Sequence, residues 1–267
     1  MAHYATKVIV VTGASQGIGR ALCRELAPQG PRLVLAARDV AALEAVASEC
    51  RSLGAQTLVV ETDVTDVDAC RRLIERAVET FGGVDVLVNN AGIGMVARLD
   101  EVKDLAVYER LMQVNYLGSV YPTYFALPSL EKSRGQVVAV SSLAGLTGVP
   151  QRTGYAATKH AQIGFFDSLR VEMREKGVTV TVIAPYFVQS EIRYRALAGD
   201  GQPLPASPVH ESKVMTAEEC ARQIVRAMEK RQRMLVMTLT GRLGRWLKLA
   251  APGLVDRIAE RSVRRGQ

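Results

Sequence analysis

Aromatic residues make up only 5% of the 267-residue chain, with a single Trp, and they are not interleaved with its basic residues. The sequence therefore lacks the stacking platforms between cations that single-stranded nucleic acids require, and no recognition motif is present, so a nucleic-acid partner is not expected. Cysteine is as sparse: Cys23, Cys50, Cys70 and Cys220 stand far apart with no Cys-x-x-Cys pair. That argues against a disulfide framework or zinc site and for reduced thiols. His3, His160 and His210 form no ligand cluster, so no metal is expected. No apolar run approaches the roughly 18 residues of a membrane span, and Met1-Ala2-His3-Tyr4 carries no basic, apolar leader; the expectation is a soluble, cytoplasmic protein. No Gly/Ser linker, repeat or low-complexity tract divides the chain, which at 48% hydrophobic is long enough for one large α/β core.

Charge is unevenly spread. The net +7 comes from the last stretch: residues 226–267 hold 11 Lys/Arg against 3 Asp/Glu, while the remainder holds 23 against 24. The body of the protein is neutral and its tail is basic.

The most informative stretch is Val8-Ile9-Val10-Val11-Thr12-Gly13-Ala14-Ser15-Gln16-Gly17-Ile18-Gly19. Four β-branched apolar residues in a row suit a strand buried on both faces of a parallel sheet. Three glycines follow, and then a helical apolar period at Ile18, Leu22 and Leu26. Strand, glycine turn and helix together make a phosphate site, because glycine lets the backbone approach a ligand and the first N–H groups of the helix face an anion. The residues of this turn, Gly13, Ser15, Gln16, Gly17, Ile18 and Gly19, are the predicted pyrophosphate contacts.

Leu33 to Ala37 reads as the second strand, closed by Arg38. In dinucleotide folds an acidic residue at this strand end accepts the 2′-hydroxyl of NAD, whereas a basic one suits the 2′-phosphate of NADP. Ala37 and Arg38 therefore predict a preference for NADP(H), with Asp39 as the N-cap of the next helix. A third strand, Thr57 to Val60, leads into Asp63-Val64, and Val84 to Val88 leads into Asn89-Asn90-Ala91-Gly92. A long helical region from about Glu101 to Leu130 carries Asn115, a poor helix former that competes for the backbone.

Gln136 to Ser142 is a fifth strand with two hydroxyls at its end, and Tyr155 lies thirteen residues beyond Ser142. Tyr155-Ala156-Ala157-Thr158-Lys159 opens a helix, so the i,i+4 spacing puts phenol and ammonium on one face. Hydride transfer to a ketone leaves an alkoxide that needs a proton, and a tyrosine at its ordinary pKa of about 10 is a poor base at neutral pH. A cation held beside it, Lys159, is expected to lower that pKa, with Ser142 orienting the substrate oxygen.

The Gly-x-x-x-Gly-x-Gly turn, the Asn-Asn-Ala-Gly strand end and the Asn115, Ser142, Tyr155, Lys159 set resemble the short-chain dehydrogenase/reductase family over about residues 6–190. The basic tail, Arg38 and a long lid resemble its 11-beta-hydroxysteroid-dehydrogenase-like branch. The resemblance implies that Asp63 and Val64 hold adenine, that Asn90, Ala91 and Gly92 approach the ribose, and that Lys159 grips it. It implies further that Asn115 holds a proton-relay water, and that Pro185, Val188 and Ser190 meet the nicotinamide side. Family members commonly dimerise or tetramerise through the helices carrying Asn115 and Tyr155. The chain departs from the family at Tyr186, where glycine is usual, and at Ser190, where threonine is usual.

Residues 186–213, rich in Pro and Gly, read as a lid over the substrate. Leu143, Leu146, Val149, Tyr186 and Phe187 would give a mostly apolar pocket suited to a hydrophobic ketone or aldehyde and its alcohol. In the tail, Leu243, Trp246, Leu247 and Ala250 fall on one helical face opposite arginines. That pattern fits packing on a partner subunit or on the lid, attachment to an anionic membrane surface, or a solvated basic tail.

The expected fold is a Rossmann-like, doubly wound, mainly parallel seven-stranded sheet over residues 1–240, with an amphipathic extension over 241–267. The expected activity is NADP(H)-dependent carbonyl reduction or alcohol oxidation. The alternatives are 3-oxoacyl thioester reduction and, in another class, a nucleotide-sensing scaffold docked on membranes.

Overall fold

The computed structural model describes residues 3–189, 196–204 and 214–264. Seven strands form one sheet: β1 (Val8–Thr12), β2 (Arg32–Ala37), β3 (Gln56–Glu61), β4 (Val86–Asn89), β5 (Gln136–Val140), β6 (Thr179–Ala184) and β7 (Met234–Val236). Their order is β3-β2-β1-β4-β5-β6-β7, and every pairing is parallel. The order reverses between β1 and β4, so a crevice opens there beyond the carboxyl ends of the strands, where such sheets bind ligands.

All five residues of β1 are buried, as its unbroken apolar run requires. The two-residue alternation of strand side chains divides them between two cores. Ile9 and Val11 join the side covered by α1 (Gly17–Leu26), α2 (Val40–Ser52) and α7 (Ala217–Glu229). Val8 and Val10 join the side covered by α3 (Val67–Phe81), α5 (Gly118–Ser133) and α6 (Thr153–Glu172). The predicted cap Asp39 accepts from the Ala42 N–H, and Asp66 and Thr216 cap α3 and α7 in the same way, accepting from the Asp68 and Glu219 N–H groups. Each such cap stabilises its helix by about 1 kcal/mol.

The single helix expected from Glu101 to Leu130 is not continuous. A 3-10 turn (Leu99–Glu101) and a short α4 (Ala106–Leu111) precede a π-helical segment, Met112–Leu117, which then leads into α5. Asn115 lies in that segment, and its side chain is committed to groups outside the helix. A π turn is a common device for aiming one residue at a functional site.

The tail begins slightly earlier than position 241 and is not detached. Helix α8 (Leu239–Ala250), capped by Thr238, and α9 (Pro252–Arg264) follow β7 directly. Gly241 is buried where an added Cβ would lie 2.9 Å from Leu143 and 3.0 Å from Val236. Arg242 donates to the Val236 carbonyl, and Lys248 to the Leu146 carbonyl at 3.1 Å.

Candidate active site

A cleft of about 700 Å³ runs along the carboxyl ends of the strands, from the turn after β1 to the start of α6. Its nucleotide end is made of backbone. Gly13 holds φ at +65°, and an added Cβ would lie 2.9 Å from Ala91 Cα. At Gly19 the same atom would come within 2.2 Å of the Gly13 carbonyl oxygen, so the third glycine sets the packing of α1 on the turn. Asn90 fastens the crossing of β1 and β4: its Nδ2 donates to the Thr12 and Gly13 carbonyls at 2.9 and 3.1 Å. The Asn90 and Ala91 N–H groups both donate to the Thr12 hydroxyl, which is fully buried. Thr12 was legible only as the residue preceding the turn, yet it joins the two strand ends.

Ser15, Gln16, Gly17 and Ile18 line the cleft with Gly13, whereas Gly19 lies behind them as a packing residue. Arg38 extends from β2 into the cleft wall, and its Nη1 lies 3.9 Å from Asp63 Oδ2. Burial works against the Asp63 carboxylate. Hydrogen bonds from the Thr65 N–H and hydroxyl, at 2.9 and 2.8 Å, and the Arg38 charge outweigh that penalty and hold its pKa below the ordinary value. Val64, Asn90, Ala91, Gly92, Pro185 and Val188 also line the cleft, while Ser190 lies outside the described residues.

At the other end, Ser142, Tyr155 and Lys159 converge on the same cleft. Ser142 caps the 3-10 turn after β5, accepting from Ala144 N–H at 3.2 Å, and hydrogen-bonds the Tyr155 phenol. Lys159 is 3% exposed, and its Nζ lies 5.8 Å from the Tyr155 ring centroid. Burial pushes the Lys159 pKa down to about 7. Burial likewise raises the Tyr155 phenol, with the Ser142 hydrogen bond and the Arg152 charge pulling against it. Against the expectation that Lys159 lowers the phenol's pKa, desolvation is the larger effect on Tyr155, and the charge that opposes it is that of Arg152.

Asn115 is fully buried on the π turn. Its Oδ1 accepts from Ile93 N–H at 2.8 Å, and its Nδ2 donates to the Ile93 carbonyl and to the Thr158 hydroxyl, both at 3.0 Å. The amide thus ties the loop after β4 to α6, which fixes the height of Lys159 one residue on.

Of the five predicted substrate contacts, Leu143, Val149, Tyr186 and Phe187 line the cleft. Leu146 does not; its backbone carbonyl accepts from Lys248 of the tail. The Tyr186 and Phe187 rings lie 4.5 Å apart, and the Arg152 guanidinium stands 5.5 Å over Phe187. Glu109, Arg110 and Gln113 at the α4 end also reach the cleft, so its wall is more polar than the sequence implied. These residues had no sequence signal, since nothing local places α4 over the site. Of the lid, residues 196–204 pair with Met95 and with each other, and Val188 bridges to Met215. The rest of the predicted lid, 190–195 and 205–213, lies outside the described residues.

The residues fit a dinucleotide. A left-handed glycine turn at a helix N-terminus faces the cleft, a basic side chain stands at the end of β2, and a lysine and a tyrosine lie at the far end. Comparison with known proteins agrees. The family model described as short chain dehydrogenase matches residues 7–200. An "11-beta-hydroxysteroid dehydrogenase A" of Sesamum indicum is 37% identical over 94% of this chain and 74% of its own length. A "dehydrogenase/reductase SDR family member 7B" of Mus musculus is 34% identical over 96% of this chain and 81% of its own. The X-ray structure of an alcohol dehydrogenase from the archaeon Thermococcus sibiricus, complexed with 5-hydroxy-NADP, matches with a TM-score of 0.73 at 29% identity, covering 86% of this chain and 95% of that one. By its sequence, its sheet order and these relatives, the protein belongs to the short-chain dehydrogenase/reductase family of nicotinamide-dependent oxidoreductases, in the 11-beta-hydroxysteroid-dehydrogenase-like branch.

Proposed function

We propose that the protein interconverts a hydrophobic ketone or aldehyde and the corresponding alcohol, with NADP(H) preferred over NAD(H). The observation that carries this reading is the convergence of Ser142, Tyr155 and Lys159 at one end of the cleft whose other end is the glycine turn. When bound, the nicotinamide cofactor supplies or accepts the hydride. Arg38, 71% exposed at the end of β2 with Ala37 beside it, is placed for a 2′-phosphate.

Ser142 holds the substrate oxygen in line with the Tyr155 phenol. In reduction Tyr155 donates its proton to the developing alkoxide, and in oxidation its phenolate takes the hydroxyl proton. Lys159 holds the ribose and, as an ammonium, favours phenolate; Asn115 holds the water that returns the proton. Leu143, Val149 and Phe187 cover the apolar body of the substrate, and Arg152 and Glu109 set the polarity of its far end.

Tyr155→Phe tests this directly. NADPH oxidation with a panel of steroid, lipid and aryl ketones is expected to fall by roughly two to four orders of magnitude with NADPH binding intact. A variant retaining most of the rate would remove Tyr155 from its role. Absence of turnover by the unaltered protein across the panel would favour a nucleotide-sensing scaffold instead.

Two surface readings accompany this one. Copies of the chain associate through α5 and α6, whose Tyr124 and Val171 are 68% and 73% exposed. The tail docks on anionic lipid: Leu239, Leu243, Trp246 and Leu249 stand out from α8 at 69–79% exposure, in the stretch that carries the protein's excess positive charge. Leu247, expected on that face, is instead half-buried, and Leu239 and Leu249 join it. No described helix is long and apolar enough to cross a membrane, so contact would be peripheral. Co-sedimentation with phosphatidylserine vesicles, lost at high salt and in Trp246→Ala, is the expected result; equal sedimentation with neutral vesicles would exclude it.

A further inference from the structure

The buried amide one turn beyond Lys159 has no place in the chemistry described above. Gln162 is 1% exposed on α6, a level of burial at which an amide side chain is uncommon. Its Oε1 accepts from Lys159 Nζ at 3.0 Å. Its Nε2 is buried with no partner among the described residues. An unpaired buried N–H group is costly, so the side chain is retained against its own desolvation by what its oxygen does.

The lysine has little other support. Its one further hydrogen bond among the described residues goes to the Val140 carbonyl at 3.0 Å. On α6 it has Tyr155 on the cleft side and His160 next to it, whose Nδ1 pairs with the Ala156 carbonyl, and Arg152, the residue preceding α6, also lines the cleft. β5, β6 and the Asn89–Gly92 strand end contribute no ionisable side chain. The π turn contributes Tyr116, whose ring packs on Phe165, and α4 contributes Glu109 and Arg110, both exposed. No carboxylate shares the burial of Lys159 from these elements.

We propose that Gln162 is a positioning residue that holds Lys159 as an ammonium through its side-chain carbonyl, and so sets the pH range over which the lysine grips the cofactor. The proposal rests on the reading of Lys159 as a ribose contact. Because burial already brings the lysine close to neutrality, one charge-assisted hydrogen bond decides its state at working pH.

The test is the NADPH dissociation constant of the full chain, followed by nicotinamide fluorescence between pH 6.5 and 9.5, with thermal unfolding recorded alongside. The unaltered protein is expected to lose affinity as pH rises through the lysine's titration. Gln162→Leu and the near-isosteric Gln162→Met should move that midpoint down by about one pH unit, a tenfold change in the lysine's proton affinity. Gln162→Glu, which keeps the oxygen and the length but adds charge, should move it upward. A merely structural role predicts weaker binding or lower stability with the midpoint unmoved. If the folded variants keep the unaltered midpoint, the proposal is wrong while the cofactor reading stands; if the unaltered protein binds no NADPH, both fall.

Discussion

The two ends of the cleft are built from different material. At the nucleotide end the close contacts are on backbone: Gly13 against Ala91 and Gly19 against the Gly13 carbonyl, with the Asn90 amide and the Thr12 hydroxyl tying the backbone of β1 to that of β4. At the substrate end the wall is made of side chains from separate loops and helices, with the Tyr186 ring tilted against Phe187, Arg152 over Phe187, and α8 leaning on Leu143. Backbone contact leaves no room for a change of size, whereas a side-chain wall can be re-lined. The first end fixes which class of cofactor enters, and the second is free to vary with the substrate.

The sharpest way to break this contrast is at Gly19. A valine there would drive its Cβ onto the Gly13 carbonyl, and Gly19→Val is expected to cost about 3 kcal/mol or more and abolish NADPH binding, read by thermal unfolding and fluorescence titration. Near-normal binding would show that the turn is softer than its geometry implies. Asn115→Ala comes next. It leaves the half-buried Ile93 N–H without its acceptor and removes one of the two hydrogen bonds of the buried Thr158 hydroxyl, which still donates to the Tyr155 carbonyl, for a loss of roughly 1–3 kcal/mol and a fall in kcat larger than any change in NADPH affinity. Arg38→Ala should weaken NADPH about tenfold and leave NADH nearly unchanged, with stability untouched because the side chain is mostly exposed. Equal loss for both cofactors would remove Arg38 from the 2′-phosphate. The smallest effect on the scaffold should come from Tyr186→Ala. Unfolding should shift by no more than about 0.5 kcal/mol and NADPH binding should hold, while relative kcat/KM among ketones changes several-fold. A cofactor defect in that variant would mean that the two ends are not separable.

The nucleotide end was also the more legible in sequence, for the same reason. β1, the glycine turn and α1 are contiguous, so period and spacing announce them, and the end of β2 follows from the strand itself. Tyr155 and Lys159 share one helical face by spacing alone. What could not be read depends on contacts between distant segments. The π turn at Asn115 exists through Ile93 and Thr158, 22 and 43 residues away. Leu146 looked like pocket lining until Lys248, 102 residues on, took its carbonyl. Glu109 and Arg110 reach the cleft only because α4 is carried over it. Leu247 leaves the tail's outer face because α8 meets the domain at Gly241, off the centre of the apolar stripe.

The π segment has one more consequence. A six-residue stretch wound more widely than an α-helix holds one residue beyond what ordinary winding accommodates in the same rise. Excising a single position between Met112 and Leu117 would let the helix tighten into a regular spiral with α4 and α5 keeping their faces, and would remove the bulge that aims the Asn115 amide at its neighbours. The chain would then be smoother in its helices and without the strut that sets the depth of its lysine.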